Sequence, residues 1–103
     1  MRNDGLNDSD VSIIKGIFNK YPEVESVYLF GSRAKGNFKK GSDIDLAIMN
    51  KLPNTSIINR IKDLFEDSSL PYLTDLIYYP EINHPELKDH ITRVGIEFYR
   101  ADK

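Results

Sequence analysis

No cysteine occurs in the chain, so neither a disulfide framework nor a thiolate metal site can be built. That composition suits a reducing cytoplasm. No apolar run approaches the roughly 18 residues a membrane span needs, and the opening MRNDGLNDSD lacks the apolar stretch of a secretory signal. We expect a cytoplasmic protein without membrane contact. An excess of positive charge is missing too: 14 Lys and Arg stand against 16 Asp and Glu, a net charge of −2. A globally basic nucleic-acid binder is therefore not expected, nor a stable direct complex with nucleic acid, although a local basic patch remains open. Internal repeats, low-complexity tracts and linkers are also absent. The 103 residues read as one domain, residues 1–103, long enough for a single core without generous surplus.

What is present is an alternation of two periodicities. SDVSIIKGIFNKY carries Val11, Ile14, Phe18 and Tyr21 at helical spacing, with Asp8 or Ser9 as a cap and Pro22 as a stop. SVYLF, residues 26–30, reads as a strand broken by Gly31, and SRAKG fits a single helical turn. DIDLAIM, residues 43–49, alternates as a second strand and ends in NKLPN. TSIINRIKDLFED places Ile57, Ile58, Ile61, Leu64 and Phe65 on one stripe of a helix. YLTDLIYY, residues 72–79, is a third strand between Pro71 and Pro80. HPELKDHITRVG brings its own start in Pro85 and its own stop in Gly95, and IEFYR closes the chain as a last strand. The order predicts an α/β (α+β) domain: a small sheet covered by helices.

One stretch, FGSRAKGNFKKGSDIDL, carries most of the chemistry. Side chains alternate across a strand, so Asp43 and Asp45 share a face while Ile44, Leu46 and Ile48 take the other. Two such carboxylates repel, and a divalent cation turns that cost into a gain because hard cations favour carboxylate oxygens. The plain alternative is a capping Asp43 beside an exposed Asp45. Asp75 interrupts an otherwise apolar and aromatic strand and needs a partner or a metal if buried; adjacent strands would bring all three acids together, whereas a nearby Lys or Arg would explain Asp75 alone. Leu46-Ala47-Ile48 after Asp45 rules out a calcium EF-hand loop. Gly31 and Gly36 have Walker A spacing, but Asn37-Phe38 stand where Lys-Ser or Lys-Thr is required. Gly31 still allows close backbone approach to an anion, and Ser32 offers a hydroxyl and an N–H at a helix start. Arg33, Lys35, Lys39 and Lys40 add positive charge nearby, part of it a solvated loop. His84 reads as a helix-cap residue and His90 as an exposed one, neither a metal ligand; the six tyrosines read mainly as packing.

Gly31-Ser32, ten intervening residues and Asp43-x-Asp45 resemble the signature of the DNA polymerase β-like nucleotidyltransferase superfamily. The longer string LFGSRAKGNFKKGSDIDLAI, with Arg33, Gly36, Ser42, a third acid on a following strand and the close HPELKDHITRVGIEFY, resembles its minimal nucleotidyltransferase (MNT) branch. Members of that branch are the small partners of HEPN-domain proteins in prokaryotic toxin–antitoxin pairs. The resemblance covers most of the chain; the first two dozen residues match only as a helix.

It implies a small mixed β-sheet flanked by helices. It implies that Asp43, Asp45 and Asp75 are catalytic and hold magnesium or manganese, with Asp75 also activating the attacking hydroxyl. It implies that Gly31, Ser32 and Arg33 bind the nucleotide, with ATP as substrate. It further implies transfer of AMP to a tyrosine of a HEPN toxin, in a hetero-oligomer with that toxin. Larger relatives carry added domains for base and acceptor, a task left here to the partner. Two alternatives stay open: a small-molecule nucleotidyltransferase of the aminoglycoside-modifying kind, and an antitoxin that blocks its partner sterically.

Overall fold

The computed structural model describes residues 4–51 and 55–101. Among the described residues, four helices and four strands follow one another as α1 (Asp8–Asn19), β1 (Ser26–Phe30), α2 (Gly31–Lys35), β2 (Ile44–Ile48), α3 (Ile58–Asp67), β3 (Thr74–Tyr78), α4 (Pro85–Val94) and β4 (Ile96–Arg100). Single 3-10 turns at Thr55–Ile57 and Tyr79–Glu81 lead into α3 and out of β3. The NKLPN stop expected after β2 falls partly on residues 52–54, outside the described residues.

The strands form one mixed sheet in the order β3-β2-β1-β4. β1 pairs antiparallel with both β2 and β4, while β2 and β3 run parallel. The parallel pair needs a crossover connection, and α3 supplies it. β3 and β4 are left as the two edges.

The two faces of the sheet differ. On one, α1 and α3 lay Ile14, Ile17, Phe18, Ile61 and Phe65 against Val27, Leu29, Ile44, Leu46, Ile48, Leu76 and Phe98. Phe18 meets Phe65 edge-on at 5.5 Å between ring centroids and Tyr99 at 5.6 Å. On the other face, α4 buries Ile91 against Phe30 and Ala47.

Several boundaries move from their expected places. α1 is capped by Asn7 rather than Asp8 or Ser9: the Asp10 N–H donates to Asn7 Oδ1 (2.8 Å), and the Asn7 N–H donates back to Asp10 Oδ2 (3.2 Å). An asparagine cap with an acid three residues on satisfies two otherwise orphaned N–H groups. β2 starts at Ile44, leaving Asp43 just outside, because the ladder toward β3 begins with the Ile44 N–H bonding Leu73 O at 2.9 Å. α4 follows its sequence signals, with Pro85 in the first turn and the Gly95 N–H bonding Ile91 O at 2.8 Å.

Candidate active site

β1 delivers Phe30 opposite Asp45 of β2, and the chain then turns at Gly31 into α2. Gly31 has φ = 75°, and a Cβ there would run into Oδ2 of Asp45. Glycine is therefore required twice, for the left-handed backbone and for the close approach of a carboxylate. Ser32 follows in the first turn of α2 and is half-buried. Phe30, at the cap position, makes no side-chain hydrogen bond to that turn.

Asp45 and Asp75 are direct register partners across the parallel pair, so both project from the same face. Asp45 is half-buried, and Asp75 and Asp43 are exposed. Burial pushes the Asp45 carboxyl above its ordinary range; the charges of Asp75 and then Asp43 push it further, and Arg33 opposes them. No hydrogen bond or ion pair among the described residues ties down any of the three acids. As they stand they are neighbours rather than a closed cage: no group of three or more His, Cys, Asp or Glu among the described residues is gathered closely enough to hold a metal ion. The donor set nonetheless fits a hard divalent cation, being three carboxylates with free oxygens, one partly desolvated and raised by its neighbours.

Arg33 lies elsewhere than in open solution. It is buried, with Nε and Nη2 donating to Ser42 O at 3.1 and 2.7 Å and Nη1 donating to Asp4 O at 2.7 Å. Lys35, Lys39 and Lys40 are exposed around the 36–42 loop. His84 takes the N-cap position of α4 without a capping side-chain bond. His90 differs from its expected exposed position: it is half-buried and meets Phe30 edge-on at 6.2 Å.

A cleft of about 510 Å³ runs along β3 beside α3, lined by Lys62, Phe65, Leu70, Tyr72, Leu73 and Asp75 among others. The third acid is part of its lining, as is Leu73, 76% exposed. A slightly larger cleft, about 570 Å³, lies between α1 and β4. Its carboxylate, Glu97, is bound by Arg100 at 3.0 and 2.7 Å, and no paired acid accompanies it. The first cleft, by contrast, includes one of the three acids, Asp75, in its lining.

Comparison with known proteins places the chain in a family. The family model described as polymerase beta, nucleotidyltransferase matches residues 12–103. A Haemophilus influenzae protein named "Probable protein adenylyltransferase MntA" is 37% identical over 99 residues, covering 95% of this chain and 86% of the relative. Among solved structures, a toxin–antitoxin with AMP-PNP superposes with a TM-score of 0.69 at 21% identity, over 89% of this chain and 74% of that one. The toxin–antitoxin MntA-HepT superposes with a TM-score of 0.60, also at 21% identity, over 96% and 71%. At that identity the two structures speak to the fold alone.

Proposed function

The chain belongs to the polymerase beta nucleotidyltransferase family, and from that membership we propose that it transfers AMP from ATP to a tyrosine of a HEPN-type toxin and acts as that toxin's antitoxin. The observation that carries the proposal is the register pairing of Asp45 with Asp75 immediately beside the Gly31 turn. The name of the 37% identical Haemophilus relative, a protein adenylyltransferase MntA, supports protein adenylylation, and the same MntA name in the toxin–antitoxin MntA-HepT supports the partner.

In this reading Gly31 and Ser32 hold the triphosphate: the glycine lets the backbone approach, and the serine offers its hydroxyl and N–H. Asp43, Asp45 and Asp75 hold magnesium, or manganese. The cation, when bound, neutralises phosphate charge and stabilises the leaving pyrophosphate. Asp43 and Asp75, both exposed, are free to rotate toward Asp45. The tyrosine oxygen forms a bond to the α-phosphorus, the bond from that phosphorus to the β-phosphate bridging oxygen breaks, and pyrophosphate departs. Asp75 takes the tyrosine proton. The cleft beside β3 suits this acceptor: Leu70, Tyr72 and Leu73 offer apolar surface for an aromatic ring, and Asp75 lies in the same lining.

Intact-mass spectrometry of the chain mixed with its helical partner, ATP and magnesium tests the proposal. We expect one or more adenylyl units on a partner tyrosine and loss of the partner's nuclease activity, since each unit adds negative charge and bulk. An unmodified partner that an Asp43→Asn variant still inhibits would establish steric blocking instead. An unmodified, uninhibited partner together with a modified aminoglycoside would establish a small-molecule enzyme.

A further inference from the structure

Arg33 is 2% exposed, yet no carboxylate among the described residues pairs with it at ion-pair distance. A buried guanidinium is costly unless its donors are met. Here they are met by backbone. Nε and Nη2 converge on Ser42 O, and Nη1 reaches Asp4 O. The guanidinium carbon lies 4.5 Å from the Tyr72 ring centroid and 5.0 Å from that of Phe38. Carbonyl dipoles and two aromatic faces thus carry the charge, with the Asp45 carboxylate as a counter-charge beyond ion-pair distance.

The segments that meet on this side chain are the ones that bear the site. Arg33 itself follows Ser32 in α2. The Ser42 carbonyl belongs to the peptide bond leading into Asp43, so two donors on that oxygen fix the plane from which Asp43 departs. The turn behind it is closed by the Ser42 N–H on Lys39 O (3.0 Å), the Ser42 hydroxyl on Lys39 O (2.7 Å) and the Lys39 N–H on Ser42 Oγ (2.9 Å). Tyr72 lies three residues before Asp75. The third anchor is a strap, residues 4–6: Leu6 is buried in the core, its N–H donates to Asp4 Oδ1 at 3.0 Å, and Gly5 has φ = 77°. A Cβ on Gly5 would run into the Phe38 ring and come within 2.8 Å of Arg33 Nη1.

We propose that Arg33 is a positioning residue that sets the spacing between the Gly31-Ser32 turn and Asp43, with the strap of residues 4–6 as its outer anchor. The proposal rests on the nucleotidyl-transfer reading for the use of that spacing. It assigns Arg33 no contact with the nucleotide. A lysine keeps the charge but has no rigid fork to grip one oxygen twice while reaching a second carbonyl.

The test compares the full chain with its Arg33→Lys and Gly5→Ala variants, the second of which keeps the guanidinium. Backbone 15N relaxation without metal or nucleotide reads loop order; steady-state AMP transfer reads KM for ATP against kcat. In both variants the amides of residues 37–43 should fall below an order parameter of about 0.6, while α1 and α3 stay near about 0.85. KM for ATP should rise about tenfold, with a smaller change in kcat. A folded variant whose loop stays ordered overturns the proposal, including the case in which KM rises anyway, because that pattern belongs to direct nucleotide contact. If Arg33→Lys does not fold, Gly5→Ala decides alone. If the unaltered chain transfers nothing, the functional reading fails, and the relaxation data still decide whether Arg33 orders the loop.

Discussion

Two neighbours on β2 face opposite worlds. Leu46 is fully buried under α1 and α3, in the cluster that includes Phe18, Ile61 and Phe65. Asp45 looks the other way, half-buried, against Gly31 and the carboxylate of Asp75. The first face is apolar along its length and closed by two helices. The second carries an apolar cluster under α4, with Phe30, Ala47 and Ile91 at its centre and Met49 and Ile77 packed against them, and presents Asp45 and Asp75 beside it. The lesson is a division of labour within one strand. One face supplies the stability that lets the other hold mutually repelling charges, since burial of apolar surface dominates folding and a functional face costs some of it.

The comparison breaks most visibly on the packed face. Phe18→Ala should cost about 3–5 kcal/mol, a large part of what a small domain has in total. Chemical denaturation should show an early midpoint and any activity loss should track the unfolded fraction. On the other face, Asp45→Asn should leave the fold intact and lower AMP transfer at least about a hundredfold, because even partners one step removed from a metal cost 10–100-fold. Wild-type-like transfer by this variant would remove Asp45 from the chemistry.

A smaller effect sharpens the contrast. Magnesium with ATP should raise the melting temperature of the unaltered chain by several degrees, as any ligand confined to the native state does, and should leave Asp45→Asn nearly unmoved. An equal rise in both would place the metal elsewhere.

The smallest effect concerns proton linkage. The Asp45 carboxyl titrates above its ordinary 3.8 in the folded chain, so between those two values the native state holds more protons than the unfolded one. Metal-free stability must then fall as pH rises through that window. Asp45→Asn removes the loss: its melting temperature should match the parent below pH 3.8 and exceed it at neutral pH. A variant less stable than its parent at pH 7 would contradict the repulsion.

Much of this face was legible from spacing. Alternation put Asp45 on the face away from Leu46, and an acid inside an apolar and aromatic run marked Asp75, whereas Asp43, expected within the strand, lies just before it. Strand β1 and helix α4 carried clear boundary residues in Gly31, Pro85 and Gly95. Other features depend on contacts between segments that periodicity does not encode. The guanidinium of Arg33 bonds a carbonyl 29 residues away, and nothing local distinguishes it from the exposed lysines of the same loop. His90 is half-buried rather than exposed because α4 sets its ring edge-on to Phe30 at 6.2 Å, a contact between segments. Asn7 displaced Asp8 as the cap because the acid that completes the box, Asp10, lies three residues beyond it.

The central claim, that the acidic end of this face binds the metal and its nucleotide, is tested most directly by paramagnetic broadening. Manganese added with a non-hydrolysable ATP analogue to the 15N-labelled chain should broaden amides around residues 31–33, 43–46 and 74–76 first, and should do so much less in Asp45→Asn. Broadening centred on the α1–β4 cleft, around Lys15 and Glu97, or spread evenly over surface carboxylates, would contradict the account.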